Sequence, residues 1–263
     1  YDAAEKGIKM KATSWFDDLQ KEYDDFSPDL IAMSTTEDMW MLGLTLLDAL
    51  KSRIKKDKVP VVVGGVFPTF APDLVIAQEL VNMVCIGEGE DAIVDLSYRI
   101  GKGYKYEDVT NLWVKTDDGR LIKNNVTKAV DINSLPILDL SLFEDERLYR
   151  PMAGKWYRML PIETIRGCPY KCAYCNSPTQ VEFYKENNSG GFFRKKDVKL
   201  VYEELKYFIN NHHMEYGYFW ADTFLAMNNR EFDEFCEMYQ DINLPFWMQT
   251  RPETLSEEKI KRL

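Results

Sequence analysis

The chain has 263 residues, of which 45% are apolar and 29% charged, with a formal net charge of −10 at pH 7. This is globular usage and excludes a disordered tail, a collagen-like repeat and a coiled-coil rod. The acidic balance argues against a nucleic-acid binder held by phosphate contacts, but not against an anionic ligand held by backbone amides.

No apolar run approaches the ~18 residues of a membrane span. The longest candidate, Met39 to Leu50, is broken by Gly43, Thr45 and Asp48. No membrane partner is therefore expected. Residues 13–26 carry Trp15, Phe16, Leu19, Tyr23 and Phe26 at helical spacing, with Thr13 or Ser14 as N-cap. A short apolar strand is predicted over 29–33 and an amphipathic helix over 37–52. Residues 59–65 are β-branched and apolar, which predicts a strand buried on both faces of a parallel sheet. A helix near 72–80, a strand over 83–86 and a helix over 90–100 follow. The alternation predicts a doubly wound α/β pattern.

The texture changes near residue 101. Gly101 and Gly103 end the helix, and residues 111–116 and 120–124 flank Asp117-Asp118-Gly119, a hairpin signal. Residues 131–160 predict an extended linker. A second α/β run predicts strands over 158–165, 216–220 and 246–249 and helices over 196–212 and 229–240. Thr254 with Glu257 predicts a capping box for a last helix. The expected domains are 1–103, then a hairpin and linker over 104–157, then 158–263.

Five cysteines, an odd number in a chain this large, do not suggest a disulfide scaffold. A reduced, cytoplasmic protein is expected, with Cys85 and Cys236 as core thiols. Cys168, Cys172 and Cys175 stand in C-x3-C-x2-C spacing directly after a predicted strand. Three thiolates so close can hold one metal centre, and soft sulfur suits an iron–sulfur cluster or zinc. A structural zinc site wants a fourth ligand. The two histidines, His212 and His213, fall at a helix end far along the chain. Three ligands without an obvious fourth suit a [4Fe–4S] cluster with one open iron.

The spacing, with the aromatic Tyr174 just before the third cysteine, resembles the radical S-adenosylmethionine (SAM) superfamily. The resemblance implies the first half of a partial (β/α)6 barrel over 158–263. It further implies SAM chelated at the open iron and cleaved to a 5′-deoxyadenosyl radical by an electron from a donor such as flavodoxin or ferredoxin. It places Tyr174 near the adenine. Asp222, ending the strand over 216–220, would take the SAM amino group as an acidic acceptor. Arg251 would meet the carboxylate and Gln249 the ribose.

Ser34-Thr35-Thr36, Gly64-Gly65-Val66 and Gly87-Glu88-Gly89 each follow a predicted strand. Small residues at strand ends let a ligand approach the backbone. Ahead of a radical SAM motif, this order is similar to the Rossmann-like cobalamin-binding domain of B12-dependent radical SAM proteins. Ser34 to Thr36 and Gly64-Gly65-Val66 would then flank the nucleotide tail, and Gly87 to Gly89 the corrin edge. The strand and loop of the family's Asp-x-His-x-x-Gly motif are expected before residue 1. Asp2 to Gly7 has that spacing with alanine for histidine, but falls in the wrong place in the strand order. The chain is expected to be an internal piece of a longer protein.

The leading expectation is a cobalamin-dependent radical SAM methyltransferase acting on a small molecule or peptide. The alternatives are a radical SAM enzyme without cobalamin, of cyclase or methylthiotransferase type, and a non-enzymatic zinc or redox module.

Overall fold

A computed structural model describes residues 4, 7, 8 and 11–263 and divides the described chain into two units, Lys11–Val130 with Asn187–Ser189, and Asp131–Glu186 with Gly190–Leu263. Most of the stretch from Asp2 to Gly7 lies outside the described residues.

In the first unit, the Ser14 hydroxyl accepts from Phe16 N and opens α1 (Trp15–Phe26). The unit continues through β1 (Ile31–Ser34), α2 (Trp40–Ala49), α3 (Lys51–Asp57), β2 (Val61–Gly64), α4 (Val66–Phe70), α5 (Pro72–Ile76), β3 (Met83–Cys85) and α6 (Glu90–Lys102). The hairpin β4 (Leu112–Lys115) and β5 (Leu121–Lys123) completes it. Strand order is β1-β2-β3-β4-β5, with β1 to β3 parallel and β4 and β5 antiparallel. Val61, Val62 and Val63 are all buried, so both faces of β2 are covered. β-branched side chains stiff at χ1 suit such a strand.

Three expectations change here. Strand order follows the chain, so the reversal that defines a doubly wound sheet does not fall among the described strands. The helix over 37–52 divides at Leu50, whose N–H bonds back to Leu47 and which also starts α3. The helix near 72–80 begins earlier and is two short helices, because Ala71 leaves helical geometry at φ −131° and Pro72 then starts α5.

The second unit contains β6 (Tyr149–Met152), β7 (Lys155–Glu163), β8 (Ile165–Arg166), α7 (Ser177–Glu186), β9 (Arg194–Lys195), α8 (Val198–His212), β10 (Tyr216–Trp220), α9 (Asn229–Ile242), β11 (Phe246–Trp247) and α10 (Glu257–Arg262). Its main sheet runs β11-β10-β7-β6, with β7, β10 and β11 parallel and β6 antiparallel at one edge. The stretch predicted as linker therefore ends in a hairpin. Pro151 is compatible with β6 because an edge strand can spare a ladder N–H.

The core of this unit is aromatic. Phe219 of β10 meets Phe224, Phe235, Tyr239 and Phe246 with ring centroids 5.1 to 5.7 Å apart. Most of these pairs are edge-on, the favoured geometry for rings with negative faces and positive edges. A complete capping box opens α9, with Asn228 and Glu231 reciprocally bonded. At α10 the cap is Ser256 rather than Thr254, because Thr254 closes a short 3₁₀ turn and its hydroxyl donates to Arg251 O. No helix among the described residues is long and apolar enough to cross a membrane.

Candidate active site

Parallel strands deliver their C-terminal ends to one edge, and loops leaving that edge can be shaped without disturbing the core. In the second unit the cysteine loop leaves β8 through Gly167. That glycine has φ +83°, and a Cβ there would stand 2.4 Å from Phe192 O. Only glycine makes this turn without displacing backbone. Cys175 N donates to Cys172 O at 3.1 Å and closes a turn between the second and third cysteines.

Each thiol has its own partner. Cys168 is buried, with Sγ 3.4 Å from the Thr223 hydroxyl. Cys172 Sγ accepts from Arg251 Nη1 at 2.5 Å. Cys175, exposed, accepts from Ser177 N at 3.4 Å. All five cysteines are free thiols, and Cys85 and Cys236 are buried as expected. Burial pushes the Cys85 thiol up to about 11, where it is an inert core group.

The loop thus touches the ends of both following strands, through Thr223 after β10 and Arg251 after β11. Those two ends are also tied together. Phe224 N donates to Gln249 O at 2.9 Å and Leu225 N to the Thr250 hydroxyl at 3.2 Å. The three predicted SAM segments therefore share one edge.

Asp222 is next to buried Thr223, and no hydrogen bond or ion pair engages its carboxylate among the described residues. Desolvation at the crowded strand end raises its pKa, even though the residue as a whole is solvent-exposed. Arg251 lies over the Tyr170 ring at 4.4 Å and also pairs with Glu253 at 2.5 Å. Tyr174 is 94% exposed, so its ring is not committed to packing. Tyr170, Thr223 and Glu253 were not singled out from the sequence. Tyr170 lies inside the cysteine motif and Glu253 two residues after Arg251, so both were within reach, whereas nothing in the sequence pairs Thr223 with Cys168.

Among the described residues, no three His, Cys, Asp or Glu side chains converge closely enough to hold a metal ion. The three thiols share a loop while each is held by a separate neighbour. As a donor set they fit an iron–sulfur cluster, with soft, reduced and closely spaced ligands and a guanidinium within reach to offset thiolate charge. A closed tetrahedral zinc site would need a fourth donor, and among the described residues none joins the three thiols.

In the first unit, the three small-residue stretches leave adjacent strands at the C-terminal edge. Thr35 N donates to Gly64 O at 2.9 Å. Gly65 has φ +106°, and a Cβ there would lie 2.6 Å from Thr35 O. The Thr69 hydroxyl donates to Gly65 O at 2.9 Å and accepts from Gly87 N at 3.0 Å, so one side chain joins the second and third loops. No sequence motif marks Thr69 for this role.

Ser34 continues β1 into this edge, and Thr35 is buried with its hydroxyl on Thr36 O. The Thr36 hydroxyl donates to Asp38. Gly64 ends β2, Val66 begins α4 and Gly89 precedes α6. The Glu88 carboxylate accepts from Val130 N at 2.8 Å, and its carbonyl accepts from Asn111 Nδ2. The edge so formed is a backbone shelf lined by small side chains, which suits close approach of a large cofactor.

Known proteins resemble this chain. The B12 binding domain family matches residues 6–97. The chain is 25% identical over 256 residues to an uncharacterized methyltransferase of Pyrococcus horikoshii, covering 94% of this chain and 51% of that protein. The chain spans about half the length of that relative. The structure of the cobalamin-dependent SAM radical enzyme OxsB, with aqua-cobalamin and SAM bound, superposes with a TM-score of 0.69 at 20% identity, covering 95% of this chain and 35% of that one. The SAM methyltransferase TsrM of Kitasatospora setae, with tryptophan and a SAM analogue bound, gives 0.64 at 15% identity, covering 95% and 48%. These likenesses show the fold, a Rossmann-like α/β domain followed by a second α/β unit.

Proposed function

We propose that this chain, a member of the B12-binding-domain radical SAM group, is the cofactor-holding part of a cobalamin-dependent radical SAM enzyme, most simply a methyltransferase. One observation carries the reading. The C-x3-C-x2-C loop is held against the ends of both following strands, at Thr223 and Arg251, so the residues that would hold the cluster and SAM share one edge. The B12 family match supports cobalamin on the small-residue shelf of the first unit. The methyltransferase assignment follows the P. horikoshii relative and TsrM.

When bound, the cluster would supply one electron to cleave SAM, and cobalamin would carry the methyl group to be transferred. Cys168, Cys172 and Cys175 would hold the cluster, and Thr223 would position the first thiol. The uncommitted Asp222 carboxylate would accept the SAM ammonium. Arg251 would exchange its contact with Cys172 for the SAM carboxylate, with Tyr170 and Glu253 keeping its guanidinium near that edge. Tyr174 would stack on the adenine and Gln249 would reach the ribose. Ser34 to Thr36 and Gly64 to Val66 would flank the cobalamin tail, and Gly87 to Gly89 the corrin edge. The electron donor would be a small redox protein such as a flavodoxin or ferredoxin. The substrate would be a small molecule or peptide. Five free thiols and an oxygen-sensitive cluster suit a reducing, cytoplasmic setting.

The test is an anaerobic absorption spectrum after reconstitution with iron, sulfide and cobalamin, followed by a SAM-cleavage assay. Iron–sulfur absorption with corrin bands, lost iron in Cys168→Ala and SAM cleavage in the wild type are expected. Cluster without corrin would favour the cobalamin-free enzyme. A colourless protein carrying stoichiometric zinc would overturn the radical reading.

A further inference from the structure

We propose that the face of the second unit's sheet turned away from α8 and α9 binds a planar, aromatic or conjugated substrate carrying an anionic group, a reading that rests on the proposed function only in calling that ligand the substrate. Alternation sorts the side chains of β10. Phe219 turns to the helices and packs on Phe235 and Tyr239 of α9. Tyr216, Tyr218 and Trp220 therefore turn to the opposite face.

Register brings more rings to that face. Tyr218 pairs with Trp247 of β11, and their rings lie 4.8 Å apart with planes inclined by 33°. Trp220 is 6.2 Å from Tyr218 and 55% exposed. Arg150 of β6 shares the face, since it pairs in register with Tyr157, whose ring is 5.0 Å from Tyr216.

The charge on this face is cationic. The Arg150 guanidinium lies 5.5 Å over the Tyr218 ring, and it has no carboxylate partner among the described residues. Glu163, opposite Trp220, gives both carboxylate oxygens to Arg166 at 2.7 and 3.0 Å, so its charge is already offset. Flat π-surfaces reward a flat partner beyond its buried area. A free guanidinium on an aromatic face favours a carboxylate or phosphate beside that ring and disfavours a cation. Trp220 also stands two residues before Asp222, so the aromatic face runs up to the proposed SAM edge.

The test uses the full chain without cluster, SAM or reductant, and naphthalene-2-carboxylate as probe in isothermal titration calorimetry. Binding with a dissociation constant below about 1 mM is expected. Trp220→Leu and Arg150→Gln, both at exposed positions, should each weaken it by at least about three-fold. Cyclohexanecarboxylate, anionic but not flat, should bind more weakly than the probe by a similar factor. No probe binding to about 1 mM, equal binding of the two acids, or unchanged affinity in both variants overturns the proposal. Since no cofactor is present, a chain that never cleaves SAM can still pass, and one that cleaves SAM can fail.

Discussion

The Thr223 hydroxyl lies 3.4 Å from Cys168 Sγ although 55 residues separate them, and both side chains are buried. This contact joins the end of β10 to the start of the cysteine loop. Thr223→Val keeps the shape and removes the hydroxyl, so it should cost the apo protein about 1 kcal/mol. The loop should also hold its first ligand less well. Denaturant melts and iron per chain after reconstitution check this, and wild-type values in both would remove Thr223 from the positioning role.

Two glycines separate the two cofactor edges. Gly167→Ala forces a Cβ to within 2.4 Å of Phe192 O at φ +83°. It should destabilise the fold by roughly 1–3 kcal/mol and lower iron loading. Gly65→Ala forces a Cβ to within 2.6 Å of Thr35 O at φ +106°. It should lower corrin binding while the cluster still forms. Paired iron and cobalamin assays read both, and loss of iron in Gly65→Ala without loss of corrin would contradict the division of the edges.

The legibility of these sites in the sequence follows the range of the interactions. The strand predicted over 216–220 is found as β10, Tyr216–Trp220, because its aromatic texture is local. The cysteine loop was legible for the same reason, since its chemistry is written in consecutive spacing. The hairpin of β6 and β7 was not. Its Pro151 reads as a breaker until its edge position is known. Nor could the contact of Arg251 with Cys172 be read, because 79 residues separate them and only the parallel register of β7, β10 and β11 brings their ends together.

Asp222 carries a stability cost that its proposed role explains. Burial raises its carboxyl pKa. A raised carboxyl favours folding when protonated, and that contribution is lost as pH rises through its folded value. At neutral pH the apo protein therefore bears the penalty of a desolvated, unpartnered carboxylate. Asp222→Asn should raise apo stability at pH 7 by a few tenths of a kcal/mol, roughly, since the side chain remains solvent-accessible. The gain should shrink towards pH 3, and SAM affinity should fall. A variant less stable than wild type at pH 7, or one that keeps SAM affinity, would contradict the assignment.

The buried pair of Lys196 and Glu204 tests the scaffold of the second unit. Lys196 Nζ lies 2.8 Å from Glu204 Oε2, with the two side chains 11% and 8% exposed. The backbone N–H of Lys196 also donates to Thr164 O at 2.9 Å, which ties the β9 end to the strand carrying the cysteine loop. Burial raises the Glu204 pKa, with Lys196 opposing the rise. Lys196→Met removes that opposition and leaves a buried carboxylate alone, which should cost about 3–5 kcal/mol. The raised carboxyl in the variant is protonated at low pH and ionised above its folded value, so the deficit should grow from acid to neutral pH. Replacing both partners, Lys196→Met with Glu204→Leu, should recover most of the loss, because two apolar groups of similar size need no compensation. Urea melts at two pH values decide it. A single variant as stable as wild type at pH 7, or a double variant no better than the single, would show that the pair does not hold the end of β9 against α8.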